Sequence, residues 1–197
     1  MSNHETFRAA RKAALFAFVA LGGACLTVLA GAATADSFKL ESSLVPPNGR
    51  LANDQVFNGF GCSGKNLSPP LKWSGAPAAT KSFALTMYDP DAPTGSGWWH
   101  WIVYDLPASV TELPLGAGGA SGKLPPGAVQ GRTDFGSANY GGPCPPQGDK
   151  PHHYVFTVYA LKTDRLDVPA SASAAAVGFS INANKIASAT FTALYGR

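Results

Sequence analysis

The sequence predicts a mostly β domain, a β-sandwich carrying one late helix. Three observations point there. Gly (22) and Pro (16) are abundant among 197 residues with no G-X-Y period, which reads as many turns between short strands. Several segments alternate in side-chain character with a period of two. Charged residues are only 14%, and a single stretch has helical character, which argues against a helical bundle or coiled coil. Apolar residues at 45% supply a core and exclude a disordered chain.

The elements follow in chain order. Residues 1–35 read as an export address. Arg8, Arg11 and Lys12 form a positive segment, Leu15 to Leu29 an uncharged apolar run, and Ala33-Thr34-Ala35 a small-x-small cleavage site. The run is short for a membrane span of roughly 20 residues. The expected mature chain, 36–197, starts at Asp36 in the periplasm or outside the cell and keeps no stable membrane span. An uncleaved anchor is the alternative. Ser37 to Ser42 is an opening strand. Ser82 to Tyr88 alternates, with Phe83, Leu85 and Met87 on one face. Trp99 to Asp105 is aromatic and β-branched. His153 to Leu161 puts Tyr154, Phe156 and Val158 on one face and Val155, Thr157, Tyr159 and Leu161 on the other. Turn-rich segments lie at Pro46 to Gly49, Gly116 to Gly122 and Tyr140 to Pro151. Ser171 to Ser188, Ala-rich, is the helix, and Ala189 to Tyr195 a closing strand.

Removing Arg8, Arg11, Lys12 and Glu5 lowers the net charge from +3 to +1, so no nucleic-acid footprint remains. Of three Cys, only Cys62 and Cys144 survive processing. In an exported chain two Cys suggest one disulfide, with two unpaired thiols as the alternative. The chain has no C-x-x-C, no zinc spacing, no G-x-S-x-G, no H-E-x-x-H and no P-loop.

Three segments carry chemistry. Asp89-Pro90-Asp91-Ala92-Pro93 sets two carboxylates in a stiff loop, because proline fixes its own φ and restrains the residue before it. In Trp98-Trp99-His100-Trp101, a hairpin would bring His100 to the sheet end where Asp89 lies; aromatic strands such as this also serve plain cores. In His152-His153-Tyr154, His152 and Tyr154 share a face and His153 points away. The set is a carboxylate, two imidazoles and a phenol at one sheet end. The two imidazoles and the phenol would donate to an oxyanion such as phosphate, with Asp89 orienting a His and favouring its cation. The same residue types could instead hold a metal or perform acid/base chemistry. No nucleophile sits in a recognisable motif, which tilts the reading toward binding.

These residues carry a resemblance. Asp89 to Pro93, Trp99-His100, Gly141-Gly142-Pro143-Cys144-Pro145-Pro146 and His152-His153-Tyr154 resemble the phosphatidylethanolamine-binding protein family, in its bacterial, Raf-kinase-inhibitor-like branch. Gly59 to Cys62, Ser68-Pro69, Gly131 to Gly136 and Tyr195-Gly196-Arg197 add to it, over about residues 38 to 197. The resemblance implies a large antiparallel sheet packed on a smaller one with C-terminal helical structure. It also implies an anion pocket for phosphate-bearing ligands such as phospholipid head groups, built by Asp89, His100, His152 and Tyr154. Asp91 would brace it, Trp98 would stand at its mouth, and Pro145 and Pro146 would form its rim. Two departures stand out: Asn184, where bacterial relatives often carry His, and the animal members' C-terminal helix, which has no clear match here.

The expectation is thus an exported binding protein, not an enzyme, with no cofactor and no metal. The alternatives are an inhibitor or interaction protein with a protein partner, and a metal-assisted hydrolase.

Overall fold

Alternation is plainest in the segments that become the centre of the larger sheet. The computed structural model describes residues 37–197; the export address read at 1–35, with its cleavage after Ala35, lies outside the described residues. The strands are β1 (Lys39–Glu41), β2 (Asn58–Gly59), β3 (Cys62–Ser63), β4 (Leu71–Ser74), β5 (Ser82–Asp89), β6 (Trp98–Pro107), β7 (Glu112–Leu113), β8 (Val129–Gln130) and β9 (His152–Leu161). Helix α1 (Ala174–Asn184) and β10 (Lys185–Tyr195) follow. The large sheet is antiparallel in the order β10-β9-β5-β6-β8, the small one β1-β4-β7, and β2-β3 is a separate hairpin.

β5 sits at the centre of the large sheet and is buried on both faces. Phe83, Leu85 and Met87 point toward the small sheet, where they join Leu40, Trp73 and Leu113 with Trp101, Val103, Phe156 and Val158. This is the two-sheet sandwich expected. On the opposite face, Ala84, Ile102, Tyr104 and Leu161 are covered by Val177 and Ile181 of α1. The large sheet is therefore the middle of three layers, and the alternation within β9 sorts its residues between the two cores.

Two irregularities in β6 matter. Asp105 has a left-handed backbone (φ 57), and its Oδ1 accepts the Leu166 N–H at 2.8 Å, anchoring the segment that leads to α1. Nearer the other end, Met87 pairs with Trp101 but Tyr88 pairs with Trp99, so His100 is an extra residue in the ladder. A bulge of this kind re-aims a side chain. Strict alternation from Ile102 would put His100 on the helix side; the bulge turns it to the small-sheet side. The hairpin turn depends on Gly97, whose φ is 67 and where a Cβ would lie 2.1 Å from the Tyr88 hydroxyl.

The helix is shorter than the Ser171 to Ser188 predicted. Ser173 caps it, its hydroxyl accepting the Ala176 N–H, and Lys185 already has extended backbone angles. The residues from Lys185 onward pair with the end of β9, so sheet pairing claims them and β10 starts four residues before the predicted Ala189. The helix thus precedes the last strand. The opening strand joins the small sheet and is confined to Lys39–Glu41. The two- to four-residue strands β2, β3, β4, β7 and β8 carry too few residues to show a period, and the sequence gives no sign of them.

Cys62 and Cys144 form the expected disulfide, with Cα atoms 6.0 Å apart across a separation of 82 residues. Closing a loop of this length limits the unfolded chain and contributes up to about 4 kcal/mol in the chain-entropy account. We expect the paired Cys62→Ser, Cys144→Ser variant to lose about 2–4 kcal/mol of stability in urea unfolding. Thiol titration of the denatured, unreduced protein should find no free thiol at Cys62 or Cys144; two thiols would refute the bridge.

Candidate functional site

Where β5 ends, Asp89 leaves the strand with its carboxylate almost wholly enclosed, 3% exposed. The stiff Pro90–Pro93 loop lets the chain fold back over it. Oδ1 accepts the backbone N–H groups of Asp91 (2.8 Å) and Ala92 (3.1 Å), an Asx-type turn. Oδ2 accepts Nδ1–H of His152 at 2.8 Å and stands 3.9 Å from Nε2 of His100. The carboxylate thus joins the end of β5, the following loop and the start of β9.

His100 is held by the Gly141–Gly142 backbone, Gly141 above all. Its Nδ1 lies 2.7 Å from the Gly141 carbonyl, and its own carbonyl accepts the Gly141 N–H at 2.9 Å. A carbonyl can only accept, so Nδ1 carries the hydrogen and Nε2 of the neutral ring is an acceptor. Gly141 can approach because it lacks a side chain; a Cβ there would lie 2.3 Å from the Phe135 ring. Burial lowers the His100 pKa to about 4, against the opposing pull of the Gly141 bond and of Asp89. His100 is therefore neutral at neutral pH. This corrects the expectation that both imidazoles donate to an anion.

His152 behaves oppositely. Burial disfavours its cation, but the hydrogen bond and charge of Asp89, with Asp149 and Asp91 behind, outweigh burial and raise its pKa. Its Nε2 lies 3.4 Å from Asp149 Oδ2. Tyr154 stands edge-on to the His100 ring, with centroids 5.1 Å apart. Burial first, and then Asp89, push its phenol well above the usual range. Its buried hydroxyl makes no close hydrogen bond, although the Asp89 carboxylate stands beside it.

These groups line a pocket of about 160 Å³ together with Trp98, Pro145, Pro146, Phe60, Phe135 and Thr94. Of the residues singled out in the sequence, Asp89, His100, His152, Tyr154, Trp98, Pro145 and Pro146 are brought together here. Asp91 is not in the lining. Its Oδ2 accepts the backbone N–H and the Nδ1–H of His153, each at 2.7 Å, and so fixes the start of β9 from outside. The tryptophans divide: Trp101 is core, Trp99 packs on Tyr88, and Trp98 meets Phe135 edge-on at 5.5 Å. Asn184 lies in α1, on the far side of the sheet, its amide donating to the Ser180 carbonyl.

Sequence reasoning missed Phe60, Phe135 and Gly141. Phe60 has a left-handed backbone (φ 52), is 68% exposed, and stacks on Phe135 at 5.9 Å. The glycines on either side of it were the available signal. Arg197 ties the rim, donating from Nε to the Pro145 carbonyl (2.7 Å) and from its guanidinium to the carbonyls of Gly61 and Phe60. The disulfide joins the same two loops. Among the described residues no group of three or more His, Cys, Asp or Glu side chains converges to hold a metal ion.

The architecture is that of a two-sheet β-sandwich with a small pocket at one end of its larger sheet, enclosing an aspartate–histidine pair. Residues 41–196 match the phosphatidylethanolamine-binding protein family, and the chain belongs to it. It is 56% identical over 171 residues to the UPF0098 protein YbcL of Escherichia coli strain K12, covering 86% of this chain and 93% of that one. It is 50% identical over 157 residues to YbhB of the same organism, covering 80% of this chain and 99% of that one. The crystal structure of Escherichia coli YbcL, described as a new member of the mammalian PEBP family, superposes with a TM-score of 0.79 at 57% identity. It covers 81% of this chain and 98% of that chain.

The lowered pKa of His100 sets an acid lability. Between pH 6.5 and 4 the unfolded chain binds a proton at this position that the folded chain refuses, so stability falls as pH falls. The loss is on the order of 3 kcal/mol. Urea midpoints of the wild type and His100→Gln, compared at pH 7 and pH 4.5, should show a smaller acid loss in the variant. Equal losses would refute a neutral buried His100.

Proposed function

We propose that this protein is an exported binding protein whose pocket takes a phosphate-bearing small molecule or lipid head group without turning it over. The observation that carries this reading is the Tyr154 hydroxyl, a buried donor that makes no close hydrogen bond although the Asp89 carboxylate stands beside it, lining the pocket next to His152. An unpaired buried donor costs about 1–3 kcal/mol, and a ligand oxygen would recover it. The Asp89 carboxylate favours the cationic form of His152, and that form would attract an anion. Binding rather than turnover is supported by the nucleophile candidates of the lining. Thr94 gives its hydroxyl hydrogen to the Gly97 carbonyl, and the Cys144 sulfur is spent in the disulfide. The disulfide and the N-terminal address support export to the periplasm or beyond.

A second reading, docking of a protein partner, is favoured by the exposed Phe60 stacked on Phe135 at the rim.

Calorimetric titration with inorganic phosphate and phosphoethanolamine tests the first reading. Saturable binding is expected at pH 6. Because the His152 pKa is raised, the favourable charge is fully present below about 6.5 and is lost as pH rises through the folded value, so affinity should fall as pH rises through that value. Tyr154→Phe should weaken binding by about 1 kcal/mol, roughly fivefold. No binding of either compound, or full affinity in Tyr154→Phe, would refute the phosphate pocket.

A further inference from the structure

The pocket holds two acceptors that face each other. Gly141 takes the only ring hydrogen of neutral His100, at 2.7 Å from Nδ1, which leaves Nε2 with a lone pair. That nitrogen lies 3.9 Å from Asp89 Oδ2, and both residues line the pocket. A ligand seated here meets the Tyr154 hydroxyl as a donor on one side, next to His152, whose Nδ1–H goes to Asp89 and whose Nε2 faces Asp149. On the other side it meets a nitrogen that can only accept and a carboxylate oxygen. A fully deprotonated or fully substituted oxyanion would set its own lone pairs against these acceptors. A hydrogen on the ligand relieves the conflict.

We propose that His100 is the specificity-determining residue of this pocket, a fixed acceptor that selects an anion still carrying a hydroxyl, namely the P–OH of a monoanionic phosphate or phosphomonoester. Sulfate esters and phosphodiesters, which carry no such hydrogen, are disfavoured. The inference rests on the phosphate reading above and narrows it, since a head group inside an intact phospholipid is a diester.

The charged and titratable groups around His100 agree. Burial keeps its ring neutral near neutral pH, and Asp89 and Asp134, the carboxylates that act on it, are both negative partners rather than anion donors. Asp134 is engaged elsewhere, its Oδ2 accepting the Trp99 N–H at 2.7 Å. His152 is paired with Asp89 and approached by Asp149. Among the described residues no Lys or Arg lines the pocket, so charge attraction from them is weak and hydrogen-bond matching decides among anions. Sites that read a ligand hydroxyl through a buried partner reject analogues lacking it strongly.

Methyl phosphate and methyl sulfate make the test. At pH 5.5 methyl sulfate is singly charged and methyl phosphate, its second pKa lying near 6, is about three-quarters so; the two are nearly the same shape, and only the phosphate monoanion carries a hydroxyl. Calorimetric titration of the wild-type protein should find methyl phosphate binding at least tenfold tighter. In His100→Gln, whose amide can donate as well as accept, the preference should fall to within about threefold; circular dichroism checks that the variant is folded. Equal affinity for the two esters in the wild type overturns the proposal, even if His100→Gln fails to fold. Dimethyl phosphate binding as tightly as methyl phosphate also overturns it, as does ethanolamine alone binding as tightly as phosphoethanolamine, since the ammonium would then supply the hydrogen. If inorganic phosphate, phosphoethanolamine and methyl phosphate all fail to bind while the protein is folded, both this proposal and the phosphate reading fall. Binding without discrimination removes the role of His100 alone.

Discussion

A carboxylate with 3% of its surface exposed stands only if its lone pairs are met, and Asp89 is where this fold accepts that burden. An ion pair taken out of water is not a free gain in stability, because desolvation opposes the attraction. What the arrangement supplies is definition. Oδ1 fixes the turn after β5 through the N–H groups of Asp91 and Ala92, while Oδ2 reaches His152 at the start of β9. One side chain therefore sets the path of a loop, the protonation of an imidazole and the relative positions of two neighbouring strands. Removing the carboxylate would leave a buried histidine cation without its partner, a far larger penalty than the net worth of the pair.

The two histidines show how backbone context divides one chemistry into two roles. Both are buried and both lie near Asp89, yet one ring is driven toward its cation and the other away from it. The difference lies in the second partner. His152 gives its Nδ1–H to the carboxylate itself. His100 gives its Nδ1–H to the Gly141 carbonyl, a neutral dipole that fixes the tautomer without offering a full charge. Gly141 can do so only because its missing side chain leaves room for Phe135.

How far the sequence could be read follows from the range of each interaction. The alternation in β5 and β9 is local, so the division of Phe83, Leu85 and Met87 from Ala84, and of Tyr154, Phe156 and Val158 from Leu161, was legible. The convergence of Asp89, His100 and His152 was legible as far as strand ends go. The face on which His100 lies was not, because a bulge opposite Tyr88 decides it, and a bulge is a property of the pair of strands. Nor was its tautomer, which depends on a carbonyl 41 residues away. The helix end was misplaced for a similar reason. Lys185 to Ser188 suit either structure locally, and the free edge of β9 draws them into the sheet. Phe60 and Phe135 were legible only as members of the Gly59 to Cys62 and Gly131 to Gly136 motifs, not as site residues, because neither belongs to a periodic segment and they meet only when the loops close.

The rim around the pocket is restrained to a degree that its loop character would not predict. Pro145 and Pro146 fix their own backbone angles, the Cys62–Cys144 bridge joins the two loops, and Arg197 donates to carbonyls on both. A ligand entering such a site orders little chain, so little of its interaction energy is lost to ordering. Inside the same frame the Tyr154 hydroxyl makes no close hydrogen bond and His100 faces a carboxylate oxygen across 3.9 Å. A floppy rim could relax to satisfy these groups internally, and the pocket would close on itself. The braced rim prevents that relaxation, so the cost of unmet polarity is carried by the folded state. The restraints that hold the loops apart also keep the Tyr154 hydroxyl and the His100 Nε2 from closing on partners across the pocket.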